Sequence, residues 1–409
     1  MVSDLWQTIC AAPAVPAYHY GTYRTTSPAE TLRKIEPLLG RAGITRVADV
    51  TGLDYLGIPV YQAIRPLSKN ISVSQGKGLT RQQAKASALM ESLECFHAES
   101  IAQPGRRETV GTMCQELDYC PFDLPVTRKL NDSRSWQRDD DLFALPVGQP
   151  TLLRNETVID WIAATDLSNG AVSWVPRQLC ELNFCVESSV YPPFFRTTSN
   201  GLASGNNVSE ALVHGLCEVI ERDSAQKNEG AWADPDRCID PTTIDSRLIS
   251  RLIEKFAGQG IKTHIVDISG PSGLPSFEVF ITDQESQTYK GLGCHPNRAT
   301  ALIRALTEAA QGRLAHISGS REDLYRSTYQ LTPSSEPKRR LPETGRPRRR
   351  FTDVPTLPVT NLKQLLRDIV QRVRAITGTS PLAVDLRKPE FAVPVTFVVS
   401  PGLMPPPGH

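Results

Sequence analysis

The sequence predicts an α+β fold in which helices pack on mixed sheets. Long helical patterns alternate along the chain with short β-branched strand patterns, and glycine or Asn-Gly turns separate them. With 409 residues, of which 40% are hydrophobic, the chain can bury a large core. No run approaches the roughly 20 apolar residues of a membrane helix, and no signal-peptide pattern opens the chain. We therefore expect a cytoplasmic protein without membrane contact.

The predicted elements follow one another as alternating helices and strands. The first are a helix over Pro28–Ala42, a β-branched run over 44–50, a strand over 71–75 and a long helix over Thr80–Ser100. A hairpin over 158–179 turns at Asn169-Gly170, and a second long helix covers Val208–Lys227. Strands at 263–269 and 276–283, a third long helix over Ala299–Ser318, a helix over Leu362–Ile376 and strands at 383–387 and 393–400 complete the order.

The chain has 45 Lys and Arg residues and 44 Asp and Glu residues, so its total charge is nearly balanced. One segment is nevertheless strongly basic. Residues 336–350 carry seven basic and two acidic side chains together with three prolines. Because no aromatic residue or nucleic-acid-binding motif accompanies these charges, the segment predicts a solvated linker, and we expect no nucleic-acid partner. The nine cysteines are scattered without a C-x-x-C pair, which predicts core thiols rather than disulfides or a zinc site.

Polar triplets at an identical i, i+4, i+7 spacing occur on the three long predicted helices. They are Ser87, Glu91 and Glu94; His214, Glu218 and Glu221; and Arg304, Glu308 and Gln311. At about 100° per residue, each triplet occupies a stripe only about 60° wide. A single such stripe is typical of a solvated helix face. The remaining faces of these helices are rich in Ala and Leu, however, so the helices should be buried and their stripes should face inward.

Inward-facing glutamates repel one another unless they share a cation. Oxygen ligands without accompanying His or Cys suit Mg²⁺, which is usually held by one or two carboxylates together with substrate phosphates. The stripes therefore indicate a nucleoside triphosphate site. Lys77, between Gly76 and Gly78 just before the first long helix, is the natural phosphate partner, although a Gly-Lys-Gly run alone is weak support. None of the common nucleotide-binding motifs is present.

These motifs resemble the three conserved blocks of the YcaO family. Residues 74–94, SQGKGLTRQQAKASALMESLE, resemble the first block, and residues 206–224, NNVSEALVHGLCEVIERDS, resemble its N-x-x-E and E-x-x-E-R block. Residues 304–323, RALTEAAQGRLAHISGSRED, resemble the third. The resemblance extends from about Thr45 to the C-terminus. It implies a YcaO-type fold, with a Mg-ATP site between the three long helices.

The resemblance also implies an enzyme that uses ATP and Mg²⁺ to phosphorylate a peptide backbone amide oxygen. We expect five glutamates to hold Mg²⁺, namely Glu91, Glu94, Glu210, Glu218 and Glu221. Six further residues are expected to bind ATP or its phosphates, namely Lys77, Ser87, Asn207, Arg222, Gln311 and Arg321. The catalytic group is unassigned. Its candidates, Pro407 and His409, lie in the proline-rich tail, whose alternative interpretation is a frayed terminus.

The sequence leaves two possible products of the amide activation. Residues 44–60 resemble family members encoded beside the partner protein TfuA, which favours a thioamide, whereas the proline-rich tail resembles azoline-forming members that cyclise Cys, Ser or Thr. The expected substrate is a precursor peptide or protein. A TfuA-like or leader-peptide-binding protein is an expected partner, and homodimer formation is a further expectation. A non-catalytic docking scaffold is the remote alternative.

The expected domain organisation is one large fold with terminal additions. An N-terminal α/β segment covers residues 1–60, and the ATP-binding catalytic core covers 61–330. The basic, proline-rich linker covers 331–358, and the C-terminal part of the same fold, with its tail, covers 359–409.

Overall fold

The computed structural model describes residues 4–11, 15–124, 153–185, 194–284, 287–322 and 345–404. The helices in these ranges are α1 (Asp4–Ala11), α2 (Pro28–Ile35), α3 (Arg81–Ala98), α4 (Val110–Glu116), α5 (Arg177–Cys180), α6 (Val208–Lys227), α7 (Arg247–Gly258), α8 (Arg298–Ser318) and α9 (Leu362–Thr377). None of these helices is long and apolar enough to cross a bilayer.

The strands of the described ranges form five sheets. The first eight are β1 (Ala17–His19), β2 (Thr22–Arg24), β3 (Arg46–Asp49), β4 (Val60–Ile64), β5 (Val73–Lys77), β6 (Gly105–Thr109), β7 (Val158–Asp166) and β8 (Val172–Pro176). The other eight are β9 (Leu202–Ser204), β10 (Ile239–Asp240), β11 (Lys262–Asp267), β12 (Ser276–Thr282), β13 (Thr288–Cys294), β14 (Arg349–Arg350), β15 (Leu382–Asp385) and β16 (Val395–Val399).

Three antiparallel sheets form the body of the fold. The first has the order β3-β4-β5, and the second has the order β6-β7-β15-β16-β9 with β8 paired to β7. The third has the order β11-β12-β13. Two small sheets add the hairpin β1-β2 and the parallel pair β10-β14. The mixture of helices and sheets confirms the predicted fold class.

The three long helices connect these sheets in a closed circuit. Helix α3 packs on β4 and β5 of the first sheet and also contacts β9 of the second. Helix α6 packs on β9 and β16 of the second sheet and contacts β13 of the third. Helix α8 packs on β12 and β13 of the third sheet and returns to β5 of the first. The helices therefore surround a common space.

The starts of these helices are fixed by side-chain caps. Thr80 and Gln83 form a reciprocal capping box at α3, in which Gln83 N donates to Thr80 Oγ1 at 3.2 Å. Asn207 and Asn297 accept from the backbones of α6 and α8 at the equivalent positions. Such caps satisfy backbone N–H groups that have no partner within the helix. The predicted boundaries of these helices agree with the structure to within two residues.

One predicted helix ends earlier than expected, and several elements of the structure were not predicted, among them α7 and β13. The helix expected over Pro28–Ala42 ends as an α-helix at Ile35 and continues as a short 3-10 turn over Glu36–Leu38. Pro37 accounts for the change, because proline has no N–H group to continue the α-helical hydrogen-bond pattern. Strand β13 was not predicted, since Gly291 and Gly293 interrupt its β-branched pattern.

The predicted domain limit at 60 falls at the first residue of strand β4. Strand β3 pairs with β4 across residue 60. At the other limit, the end of the expected solvated linker is ordered: Arg349–Arg350 form β14, and Arg349 Nε lies 3.2 Å from Asp267 Oδ2. Phe351 follows with a fully buried ring. The paired backbone and this buried aromatic residue explain why residues 345–358 belong to the fold.

Glycine at position 76 permits the close approach of α3 to the first sheet. A Cβ atom built on Gly76 would overlap the backbone nitrogen and Cα of Ala88. Backbone atoms of a helix cannot move aside as a flexible side chain can. The glycine of the predicted phosphate-binding run therefore has a packing role.

We expect Gly76→Ala to lower the free energy of unfolding by about 3 kcal/mol, the upper range for overpacking a core. The measurement is the urea midpoint of unfolding followed by circular dichroism. Gly52→Ala is the matched control, because nothing lies within 4 Å of a Cβ at that position. Equal midpoints for the two variants would contradict this packing role.

Candidate active site

Most residues of the three predicted stripes are partly exposed, whereas Glu221 and Gln311 are buried. On α6, His214 and Glu218 are the residues between Val208 and Glu221 that are not fully buried. On α8, the same holds for Arg304 and Glu308 between Thr300 and Gln311. Ser87, Glu91 and Glu94 are partly exposed on α3. The stripes therefore face a cleft, and the expectation that they are inward-facing is met.

Charged contacts across this cleft bring the helices together. Lys77 Nζ, at the end of β5, lies 2.7 Å from Glu308 Oε2 on α8. Arg304 Nη2 on α8 lies 3.0 Å from His214 Nε2 on α6. The negative charges of Glu91 and Glu218 both raise the pKa of the Glu94 carboxyl group. Glu94 on α3 and Glu218 on α6 therefore lie close to one another.

The last residue of each triplet bonds to the strand of the next sheet. Glu94 Oε1 accepts from Ser204 N at 2.7 Å and from Ser204 Oγ at 2.5 Å, which joins α3 to β9. Glu221 Oε2 accepts from Cys294 N at 2.8 Å, which joins α6 to β13. Gln311 Nε2 donates to the Gln75 carbonyl at 2.9 Å, which joins α8 to β5. These side chains help to close the circuit of helices and sheets.

The glutamates on α3 and α6 carry charge that the protein does not fully compensate. Burial raises the pKa of Glu94 to about 8, and the neighbouring Glu91 and Glu218 charges add to this effect. Burial also raises the pKa of Glu218 to about 7, although Arg222 opposes the shift. The pKa values of Glu91 and Glu221 are raised by burial as well. A divalent cation would relieve this concentration of negative charge.

The pKa of Glu308 on α8 is lowered rather than raised. Burial alone would raise its pKa, but the Lys77 ammonium and the Arg222 guanidinium lower it to about 2. Arg222 also lies 3.9 Å from Glu221 through its Nη2 atom. The α8 side of the cleft is therefore neutralised by protein cations, whereas the side formed by α3 and α6 is not.

Glu210 and Asn207 lie at the start of α6, in contact with the N-terminal part of the chain. Glu210 Oε1 lies 3.2 Å from Arg24 Nη1, and Glu210 Oε2 accepts from Thr25 N at 2.9 Å and Thr25 Oγ1 at 2.8 Å. Asn206 Nδ2 donates to the same carboxylate at 2.9 Å. Asn207 Oδ1 accepts from Glu210 N at 2.9 Å as the helix cap. The roles of Glu210 in metal binding and of Asn207 in nucleotide binding stay predictions.

The remaining predicted residues line the same region. Ser87 lies on the accessible face of α3, and Arg321 lies close enough to Glu91 to lower its pKa. The tail candidates Pro407 and His409 lie outside the described residues. The contacts of Arg24, Thr25 and Asn206 with Glu210 were not predicted, and no role was assigned to Glu308. A contact between residues 24 and 210 leaves no local pattern that sequence analysis could detect.

The cleft has the features of a site for a nucleotide with its metal. Carboxylates are the ligands that Mg²⁺ prefers, and Lys77 and Arg222 can meet phosphate oxygens. The Gln75 side-chain amide and Arg304 Nε are buried without a hydrogen-bond partner in the described part of the chain. Among the described residues, no three His, Cys, Asp or Glu side chains form a ready metal-binding group. Mg²⁺ commonly completes its coordination with substrate phosphates and water. One or two carboxylates of the cleft are therefore sufficient protein ligands.

Comparison with known proteins agrees with these features. The family model described as YcaO cyclodehydratase, ATP- and Mg²⁺-binding, matches residues 75–404. An uncharacterized protein of Mycobacterium tuberculosis is 36% identical over 400 residues, which cover 96% of this chain and 85% of the relative. An uncharacterized protein encoded in the tfuA 3′ region of Rhizobium leguminosarum bv. trifolii is 33% identical over 93% of this chain and 88% of its own.

Solved structures share the fold at low sequence identity. The YcaO protein of Methanopyrus kandleri, bound with AMPPCP and Mg²⁺, superimposes with a TM-score of 0.68 at 22% identity, covering 96% of this chain and 95% of its own. A heterocyclase in complex with substrate and cofactor has a TM-score of 0.72 at 20% identity, covering 96% of this chain and 54% of its own. Together with the match of the family model, these findings show that the chain belongs to the YcaO family, whose members bind ATP and Mg²⁺.

Proposed function

We propose that this protein activates a backbone amide of a precursor peptide or protein by ATP-dependent O-phosphorylation, and that the product is a thioamide. The cleft of buried carboxylates and opposing cations between α3, α6 and α8 is the observation that carries the proposal. The relative from the tfuA 3′ region supports the choice of thioamide, because the resemblance links TfuA-associated members to that product.

The residues of the cleft divide into two groups by charge. Glu91, Glu94, Glu218 and Glu221, with Glu210 at the start of α6, would hold Mg²⁺. Lys77, Arg222 and Arg321 would contact the phosphates, and Ser87, Asn207 and Gln311 would hydrogen-bond the nucleotide. ATP supplies the phosphoryl group that converts the amide oxygen from a poor leaving group into a good one. The contribution of the protein is positioning and charge neutralisation.

Glu308 positions Lys77 for this task. The ion pair at 2.7 Å holds the flexible lysine at the end of β5, and neither side chain is fully buried. A phosphate oxygen entering the cleft can therefore share the ammonium group without displacing it. Glu308 stays ionised across the neutral pH range, because Lys77 and Arg222 lower its pKa to about 2.

Cyclodehydration to an azoline is the second candidate function. The family model carries the description cyclodehydratase, and the proline-rich C-terminus favours the same outcome. In this case the side chain of a neighbouring Cys, Ser or Thr is the nucleophile, whereas external sulfide is the nucleophile for a thioamide. Pro407 and His409 would then lie near the reacting amide.

The assembly and location are part of the proposal. A TfuA-like or leader-peptide-binding protein would deliver the substrate or the sulfur, and two copies of the chain would form a homodimer. All nine cysteines are free, which suits the reducing environment of the cytoplasm. The docking-scaffold alternative requires gaps in the carboxylate set, and all five glutamates are present.

The product is tested by mass spectrometry of candidate precursor peptides encoded near the gene. Each peptide is incubated with the protein, ATP and Mg²⁺, with and without sulfide and the TfuA-like partner. We expect a mass gain that corresponds to replacement of one oxygen by sulfur, and only when sulfide is present. Loss of one water without sulfide would contradict the thioamide and establish the azoline. Absence of ATP turnover under every condition would contradict both.

The uncompensated charge of Glu218 predicts a pH-dependent effect of its removal. The folded-state pKa of about 7 lies above the unfolded value, so ionised Glu218 destabilises the nucleotide-free fold, increasingly as the pH rises from about 4.5 to 8. In the absence of Mg²⁺ and ATP, Glu218→Gln should raise the free energy of unfolding by about 2 kcal/mol at pH 8 and change it little at pH 5. Thermal unfolding in EDTA measures this difference.

The same variant separates stability from ligand binding. Mg-ATP should raise the melting temperature of the wild-type protein and leave that of Glu218→Gln nearly unchanged, with no modified peptide formed. Glu229→Gln is the matched control, because Glu229 is an exposed residue just beyond α6. A full Mg-ATP shift in Glu218→Gln would remove Glu218 from the proposed metal site.

A further inference from the structure

A cavity of about 50 Å³ lies beside α6, on the face next to the carboxylate stripe. Its lining includes residues of α5, of the loop before β9, of α6, of the end of β16 and of the following C-terminal segment. Among them are Leu179, Arg196, Asn200, Val219, Ser400 and Leu403. None of these residues belongs to the ATP and Mg²⁺ site described above.

Two polar atoms of residues that line the cavity have no hydrogen-bond partner among the described residues. Asn200 Oδ1 and Ser400 Oγ are both buried without a hydrogen-bond partner in the described part of the chain. The lining also includes three further polar residues, the partly exposed Arg196 and Thr198 and the exposed Asp123. An unpaired buried polar atom costs about 1–3 kcal/mol. The Asn200 carbonyl oxygen accepts and the Ser400 hydroxyl can donate, so these atoms favour a ligand that carries both a hydrogen-bond donor and an acceptor.

The opposite wall of the cavity is apolar. Leu179 and Val219 are buried, and Leu403 is partly covered. At roughly 10–15 Å³ for each water molecule, the volume corresponds to about three or four waters, which is the size of a small side chain rather than an aromatic one. A ligand with a polar backbone and a small apolar side chain matches both walls.

Two elements connect this cavity to the carboxylates. Val219 follows Glu218 directly on α6. Asn200 precedes β9, whose last residue, Ser204, bonds to Glu94 at 2.7 Å. The segment after β16 is fixed against the same helix, because Met404 N donates to Asp223 Oδ1 at 2.8 Å. A peptide bound in the cavity would therefore contact the same helix, α6, that carries Glu218, on a neighbouring face.

We infer that this cavity binds the substrate residue adjacent to the reacting amide and selects a small side chain at that position. The inference rests on the proposed function. The peptide N–H donates to Asn200 Oδ1, Ser400 Oγ donates to a peptide carbonyl, and the side chain packs on Leu179 and Val219. A tryptophan at this position is excluded by volume.

Capped amino acids serve as probes for this site. N-acetylglycine, N-acetylvaline and N-acetyltryptophan methylamides are titrated into the full-length protein in the presence of Mg²⁺ and a non-hydrolysable ATP analogue, and saturation-transfer NMR detects binding. The glycine and valine probes should bind to the wild-type protein, and the tryptophan probe should not. Absence of binding by the small probes, or equal binding by the tryptophan probe, would overturn the inference.

Two variants assign the binding to the cavity. Ser400→Ala removes one hydrogen bond without changing the fold and should weaken binding of the valine probe about fivefold. Val219→Phe fills the cavity and should abolish binding, while the melting-temperature shift caused by the nucleotide analogue confirms that the variant is folded. Ser100→Ala, at an exposed serine outside the cavity, is the matched control. Wild-type affinity in both cavity variants would place the probe elsewhere.

The outcomes separate this inference from the proposed function. A protein that modifies its peptide, but whose probe binding ignores Ser400→Ala and Val219→Phe, contradicts the cavity assignment alone. A protein that binds the probes through the cavity but forms neither thioamide nor azoline contradicts the proposed function and retains a peptide-binding cavity.

Discussion

Hydrogen bonds from three side chains fasten each long helix to the sheet of the next one. Glu94, Glu221 and Gln311 make these bonds, and all three belong to the polar stripes. The same stripes that would bind the ligands thus hold the helices in register. Glu94 and Glu221 each use one carboxylate oxygen for these bonds. The other oxygen of each can contact a cation, and that of Glu221 lies 3.9 Å from Arg222 Nη2. Both the helix-to-sheet contacts and the proposed ligand binding therefore need a carboxylate or amide side chain at these positions. Each position is the seventh residue after the first member of its stripe.

This arrangement can be stable only because the remaining faces of the helices are apolar and buried. Carboxylates that are brought together away from bulk water repel one another and lose hydration, as the raised pKa values of Glu94 and Glu218 show. The packing of α3, α6 and α8 on their sheets opposes that repulsion. Because Lys77 and Arg222 lower the pKa of Glu308, the unrelieved charge is confined to the side formed by α3 and α6. That asymmetry would direct a metal ion to one side of the cleft and phosphates to the other.

The sequence allowed the stripes to be predicted because helical periodicity is a local property. It did not reveal that Lys77 meets Glu308, since 231 residues separate them and either could have been solvated. For the same reason the partners of Glu210 were missed: Arg24 is 186 residues away and lies before the part of the chain in which the resemblance is detectable. The unexpected strand β13 has a different cause. Its glycines, which weaken the strand pattern, let α8 approach the sheet, and a Cβ at Gly291 would overlap the backbone of that helix.

The N-terminal hairpin of β1 and β2 contacts both α3 and α6 and so helps to set the distance between these two helices. Gln83, in the first turn of α3, donates to the carbonyls of His19 at 2.9 Å and Tyr20 at 3.0 Å. Arg24, at the other end of the hairpin, pairs with Glu210 in the first turn of α6. The hairpin therefore ties together the N-terminal ends of the two helices that carry the uncompensated glutamates. Since repulsion between those glutamates would separate α3 from α6, this tie from outside the cleft helps to maintain the spacing that a shared cation requires.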